Sequence, residues 1–509
     1  MSGVLRTDIQ TLPVLLQARG AELGDQRFVR DAHASWSYGE FADRVRVVAA
    51  GLQARGVRRG DVVAVVLPNS PAYLEVWWAI LWAGAVFNPV NPALTVREAI
   101  DILADSGART VLCPADRVGE LSEADLPSLL DVIGVDAAQP DPLAGLREAG
   151  SLDAPEPVGG DDLMSLVYTS GTTGRPKGAM LSHGNFLSDT RMLAELLPAV
   201  RGETLGMVLP LFHVNAQLVT TVMPMLMGAD IAMWDRFSAS TFWATVAEFE
   251  PVTFSAVPTM LAALLHAPGA DEASTNSVRY VICGAAPLAP ADFRRFEEKF
   301  GIAILEGYGL TEAACCSTLN PFYGPRKIGS IGLPVRGQDV EIRDDTDRLV
   351  PAGEPGEVCL RGPNVMQGYY HREEATAEAL VDGWLHTGDV GYCDEDGFVF
   401  LVDRKKDMII RGGENIYPRE IEDALLEFDG VEQAAVVGRP HPVRGEEVHA
   451  VVVLAGGVGL EAVQEHCRGR LAPYKVPSSW DVIADLPKTS TGKIDKKPLR
   501  AGLRADAPA

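Results

Sequence analysis

The sequence predicts an α/β protein in two parts. A large N-terminal domain over 1–405 combines two doubly wound α/β subdomains with a β-barrel-like subdomain, and a small α+β C-terminal domain fills 406–509. Three observations predict this. A strand–helix–strand rhythm, expected of a parallel sheet with helices on its faces, runs once before position 114 and again over roughly 200–320. From about 328 it gives way to short β segments punctuated by Gly332-Leu333-Pro334, Gly353-Glu354-Pro355-Gly356 and Arg361-Gly362-Pro363. Past Asp403 a charged patch precedes a tail of mixed helix and strand, and 509 residues exceed what one hydrophobic core holds.

Each element has a local reason. Ser37 and Glu40 form an S-x-x-E capping box that opens a helix to about Ala54. Val62-Val63-Ala64-Val65-Val66-Leu67 suits a strand buried on both faces. A helix from about Pro71, a short strand near Val86, a helix from Thr95 to about Asp105 and a strand over 109–113 complete the first round. The second round places strands near 205–209, 230–233, 253–256 and 279–283. The tail reads as a helix near 419–428, strands near 432–437 and 447–454, and a helix near 460–471.

Charge and cysteine use exclude several function classes. Lys plus Arg number 45 against 69 Asp plus Glu, a formal charge of −24, which argues against a nucleic-acid partner. The seven cysteines include no C-x-x-C pair, so neither a disulfide frame nor a zinc site is expected, and reduced thiols fit a cytoplasmic protein. The first 20 residues lack a basic segment followed by an apolar core, so no signal peptide is expected. The most apolar run, 76–87, is too short to span a bilayer and reads as a buried helix followed by a strand.

The strongest chemical signal is Tyr168-Thr169-Ser170-Gly171-Thr172-Thr173-Gly174-Arg175-Pro176-Lys177-Gly178, directly after the apolar run 163–167. Its glycines let backbone N–H groups turn inward, Thr169, Ser170, Thr172 and Thr173 add hydroxyls, and Lys177 adds a point charge. Together these suit a polyphosphate. The string does not satisfy G-x-x-x-x-G-K-[ST], and a flexible Ser/Thr/Gly linker would not end in Pro-Lys-Gly behind a buried strand.

This string resembles the signature of the adenylate-forming superfamily of acyl-CoA synthetases, peptide-synthetase adenylation domains and beetle luciferases, and looks most like the AMP-forming acyl-CoA ligases. Further matches follow in order along nearly the whole chain. Gly284-Ala285-Ala286-Pro287 resembles the adenine-edge segment. In Tyr308-Gly309-Leu310-Thr311-Glu312 the resemblance implies that Tyr308 stacks on adenine, Thr311 meets the α-phosphate and Glu312 holds Mg²⁺. In Trp384-Leu385-His386-Thr387-Gly388-Asp389 it implies that Asp389 binds the ribose hydroxyls. In Arg404-Lys405-Lys406-Asp407 it implies that Arg404 contacts the nucleotide and Lys406 is the hinge of a mobile C-terminal domain. Gly412 and Gly413 would then line the pantetheine channel, and Lys493, in Thr491-Gly492-Lys493, would be the catalytic lysine. Each short piece has a bland reading alone: Thr-Glu as a helix start, Thr-Gly-Asp as a turn, the basic patch as a solvated surface. Their weight lies in occurring together.

The implied activity is ATP-dependent ligation of a small acid to coenzyme A through an acyl-adenylate, releasing pyrophosphate and AMP. ATP, Mg²⁺ and CoA are the implied cofactors and co-substrates, and relatives suggest a homodimer. Pro210-Leu211-Phe212-His213-Val214-Asn215-Ala216-Gln217 occupies the place of the acid-pocket segment. His213 either gates the path to the reacting carboxylate or is a core histidine satisfied by backbone. Asn215 and Gln217 suggest a polar feature on the acid. Transfer to a carrier-protein thiol, or activation of another oxyanion for attack by an amine, would use the same motifs.

Overall fold

The capping boxes start helices where the sequence placed them. The computed structural model describes residues 6–169, 176–198, 201–271, 273, 275–411, 414–441, 443–488 and 494–505, with backbone alone at 406, 415, 504 and 505. Ser37 and Thr95 accept from the N–H three residues on while Glu40 and Glu98 reach back, opening the helices Tyr38–Ala54 and Val96–Ser106. Such a cap is worth about 1 kcal/mol. The helix Pro71–Trp82 is apolar apart from the buried, ion-paired Glu75 and is therefore central, with Trp77, Trp78 and Trp82 buried and Trp77 stacked on Phe87 at 5.4 Å. Among the described residues no helix is long and apolar enough to cross a membrane.

Contacts divide the chain into two units, one of residues 1–340 with 360–385, the other of 341–359 with 386–509. The first unit holds two sheets. A six-stranded sheet runs in the order Asp131–Val135, Thr110–Pro114, Val62–Val65, Val86–Pro89, Leu163–Thr169, Lys177–Ser182, parallel except for its last antiparallel pair. The nine-stranded sheet contains the parallel set Thr204–Met207, Asp230–Met233, Thr253–Ala256, Tyr280–Cys283 and Ala303–Tyr308. Its apolar core is built on Phe242, Trp243, Phe254, Phe296 and Phe300.

Two features of this sheet were not expected. The N-terminal strand Arg27–Arg30 leaves the first round and pairs parallel with Asp230–Met233. Ala303–Tyr308, absent from the strands expected above, pairs with Tyr280–Cys283 and carries Tyr308 at its C-terminal end. Glu306 and Gly307 interrupt its apolar run and hid it.

The Gly- and Pro-punctuated segment forms a five-stranded sheet of Asp339–Arg343, Gly356–Arg361, Leu380–Val381, Trp384–Cys393 and Val399–Arg404. In the second unit the long hairpin Val431–His441 with Gly445–Leu454 packs on the helices Pro418–Leu426 and Leu460–Arg470. That core centres on Ile409, Ile421, Leu425, Val436, Val448 and Val463.

His183 begins the helix His183–Leu196 and is buried, with the Leu12 N–H donating to its Nδ1 at 3.4 Å. Burial pulls its pKa down to about 4 against an ordinary value near 6.5, a loss that the charge of Asp162 only partly offsets. The unfolded chain therefore binds a proton that the folded chain refuses, so this contribution is present above pH ~6.5 and is lost as pH falls toward 4. Equilibrium unfolding of His183→Gln should show a flatter stability profile across that window than the parent; an unchanged slope would remove His183 as its source.

Candidate active site

Strand ends and one strained turn bring the motif residues of the first unit together. Thr169 ends Leu163–Thr169, Lys177 opens Lys177–Ser182, and the two residues face each other across the antiparallel pair. The hairpin thus brings together both ends of the string expected to hold phosphate. Ser170, Gly171, Thr172, Thr173, Gly174 and Arg175 between them lie outside the described residues.

Tyr308 ends one parallel strand and the Gly284-Ala285-Ala286 segment follows its neighbour, both at the C-terminal edge at which open α/β sheets bind ligands. A Cβ on Gly284 would lie 3.0 Å from the Gly307 carbonyl oxygen. Ala285 has a φ of +70°, a left-handed conformation costly for a residue with a Cβ.

Beyond Tyr308 the chain makes the turn Thr311–Ala313 and then reverses at Ala314, whose φ of 61° and ψ of −59° define a strained γ-turn closed by the Cys315 N–H on the Ala313 carbonyl at 2.7 Å. Neighbours determine that turn. Asp189 Oδ2 accepts the Cys316 N–H at 2.9 Å, Asn364 Nδ2 donates to the Ala313 carbonyl at 3.1 Å, and the Met366 N–H donates to the Glu312 carbonyl at 2.8 Å. Full burial holds the Asp189 carboxyl well above the usual carboxylate range. Gly309 completes the arrangement, because a Cβ there would sit 1.6 Å from the Cys315 carbonyl oxygen.

The Glu312 side chain receives two hydroxyls. Tyr369 donates to its Oε1 at 2.8 Å and Thr169 at 3.3 Å, while Lys177 Nζ lies 5.0 Å from the centre of the Tyr369 ring. Burial, then the Glu312 charge, push the Tyr369 phenol up. Tyr369 was missed in the sequence, where Met366-Gln367-Gly368-Tyr369-Tyr370 carries no chemical pattern of its own.

The segment expected to line the acid pocket is held by the loop after the strand Val62–Val65: Asn69 Oδ1 accepts the Leu211 N–H at 2.8 Å and its Nδ2 donates to the Leu209 carbonyl at 3.0 Å. His213 precedes the short helix Val214–Gln217, its ring 4.3 Å from that of Phe212. Gln217 donates to the Leu211 carbonyl at 2.9 Å, but its Oε1 and the Oδ1 of Asn215 are buried with no hydrogen-bond partner among the described residues. A π-helical stretch, Leu218–Val222, follows.

The second unit carries the other motif residues. Asp389 and Arg404 are paired in register on adjacent strands and form an ion pair at 2.9 Å. Lys406 lies in the short turn Lys405–Asp407, its side chain outside the described residues. Gly412 and Gly413 lie outside them too, between the paired strands Ile409–Arg411 and Glu414–Ile416, as does Lys493.

The AMP-binding enzyme family matches residues 16–370, and the AMP-binding enzyme C-terminal domain matches residues 420–493. The chain belongs to the AMP-binding enzyme family. It is 41% identical over 476 residues to a feruloyl-CoA synthase of Amycolatopsis sp, covering 93% of this chain and 95% of that one. It is 36% identical over 502 residues to a sulfoacetate–CoA ligase of Cupriavidus necator, covering 96% and 97%. Among solved structures, ATP-bound MatB from Rhodopseudomonas palustris superposes with a TM-score of 0.91 at 32% identity, covering 96% and 98%. The expected family and α/β fold are thus borne out, and the chain is an AMP-forming acid–CoA ligase that works through an acyl-adenylate.

Gly309→Ala should fold yet form acyl-CoA ~100-fold more slowly, since a displacement of about 1 Å at positioned groups costs on that order. Parent-like turnover with an intact thermal transition would show that the close Gly309–Cys315 approach does not position Thr311 and Glu312.

Proposed function

We propose that this ligase activates a small acid bearing a hydrogen-bond donor, of the phenolic type that the feruloyl-CoA synthase relative is named for. The observation that carries this is the pair of buried carbonyl oxygens on Asn215 and Gln217 that have no hydrogen-bond partner among the described residues. Leaving such acceptors unmet costs about 1–3 kcal/mol each, and a substrate hydroxyl would recover it. A second anionic group, as in sulfoacetate, would meet two acceptors and be repelled. His213 would gate the path to the reacting carboxylate.

In the first half-reaction a carboxylate oxygen attacks the α-phosphorus of ATP, forming the acyl-adenylate as the bond to pyrophosphate breaks. The chain's task is positioning and charge neutralisation. Lys177 and the hydroxyls of Thr169, Ser170, Thr172 and Thr173 would hold the β- and γ-phosphates, with backbone N–H groups of Gly171 and Gly174. Tyr308 would stack on adenine beside Gly284, Ala285 and Ala286, Asp389 would accept the ribose hydroxyls and Arg404 would contact the nucleotide. Thr311 would meet the α-phosphate. Glu312 offers a carboxylate already oriented by Thr169 and Tyr369, an oxygen donor suited to Mg²⁺, which commonly takes one or two carboxylates plus phosphate oxygens. Bound there, Mg²⁺ would neutralise phosphate charge. Lys493 would lie between carboxylate and α-phosphate, where two anions converge.

In the second half-reaction the CoA thiolate attacks the acyl carbon and AMP leaves with the bonding pair. We propose that residues 406–509 rotate about Lys406 between the steps, withdrawing Lys493 and bringing Gly412 and Gly413 to the pantetheine arm. Cysteine use supports a cytoplasmic location.

Acid-dependent pyrophosphate release, measured with ATP and Mg²⁺ and with or without CoA, should be fastest for a hydroxylated aryl acid and rise sharply with CoA. A preference for sulfoacetate, malonate or a long-chain fatty acid would overturn the donor reading. Lys493→Ala should abolish adenylation while preformed acyl-adenylate still reacts with CoA; equal loss of both steps would contradict the division of labour.

A further inference from the structure

We infer that Glu357 is a positioning residue that ties the ribose segment Thr387-Gly388-Asp389 to Lys405, the residue before the hinge lysine. This rests on the roles proposed above for Asp389 and Lys406. The two oxygens of one largely buried carboxylate are divided between these segments. Oε1 accepts the Gly388 N–H at 2.9 Å, and Oε2 lies 3.4 Å from Lys405 Nζ and 3.4 Å from His386 Nδ1. Lys405 reaches a second carboxylate, Asp345, at 2.8 Å.

The segment that Glu357 holds lies within the strand Trp384–Cys393 and has further restraints. Gly388 has a φ of +71°, the Thr387 hydroxyl donates to the Val358 carbonyl at 2.7 Å, and the Asp389 N–H donates to that hydroxyl at 3.1 Å. The strand that supplies Val358 therefore also supplies, one residue earlier, the carboxylate that orients the peptide entering Asp389. Arg404, the nucleotide-contacting residue next to Lys405, pairs with Asp389 itself. Displacing Lys405 in a hinge motion pulls on the carboxylate that holds the ribose segment, so nucleotide grip and hinge position act on one side chain.

The two oxygens can be separated by mutation. Glu357→Gln keeps a carbonyl oxygen for Gly388 and loses the charge facing Lys405, whereas Glu357→Ala loses both. AMP affinity by calorimetry should fall about tenfold in Glu357→Ala, the loss of a charge-assisted bond. It should stay within about twofold in Glu357→Gln. Lys405 is half exposed, so the charge pair is worth at most ~1 kcal/mol. Glu357→Gln and Lys405→Met should each shift the ratio of the two half-reaction rates about fivefold, and the double variant should shift it no further. Should Glu357→Ala fail to fold, the Gln and Met arms still decide.

Asp389→Ala is the control. If it weakens AMP binding while Glu357→Ala binds AMP as the parent does, the positioning role is overturned. Strictly additive effects of Glu357→Gln and Lys405→Met overturn the coupling. If Asp389→Ala leaves AMP affinity unchanged, the ribose assignment beneath the proposal fails instead.

Discussion

The candidate site of the first unit depends on one strained reversal at Ala314. A γ-turn at a residue with a Cβ persists only where its surroundings over-determine it, and here they do. Asp189 comes from the helix after the phosphate hairpin, and Asn364 and Met366 from the strap after Arg361. Each holds a backbone group of the residues from Glu312 to Cys316. The reversal lets Thr311 and Glu312 project immediately beyond the strand that ends in Tyr308. The strain is local, and one of the groups that holds it is the Asp189 carboxyl, which burial keeps above the usual carboxylate range.

From that turn the other contacts follow. Glu312 meets Thr169 on the phosphate hairpin and Tyr369 on the strap, so two segments far apart in sequence converge on one carboxylate. Lys177 over the Tyr369 ring brings the hairpin's cation to the same place. A cation and two donor hydroxyls thus gather around one carboxylate in a chain of formal charge −24.

Much of this was legible in the sequence because it rests on local rules. A capping box located Tyr38–Ala54, and a β-branched run located the buried strand Val62–Val65. The ordered motifs named Thr169, Lys177 and Glu312, which the fold brings to one place. What the sequence concealed is non-local. Asp189 reads as an ordinary polar position within a helix, and the Cys316 N–H that it accepts lies 127 residues on. Tyr369 has meaning only once Glu312 faces it. Glu357 follows a glycine in a β-rich stretch, and nothing nearby shows that its two oxygens serve separate segments. Ala303–Tyr308 escaped because Glu306 and Gly307 break its apolar pattern, and both are explained by the neighbouring strand and turn rather than by propensity.

The central claim is that the acid's own oxygen attacks the α-phosphorus of ATP in a site organised around Glu312. The direct measurement uses an accepted acid labelled with ¹⁸O in its carboxylate, with mass analysis of the AMP formed in one turnover with CoA. The expected result is AMP carrying one ¹⁸O from the acid. Unlabelled AMP, or label appearing in orthophosphate, would contradict it.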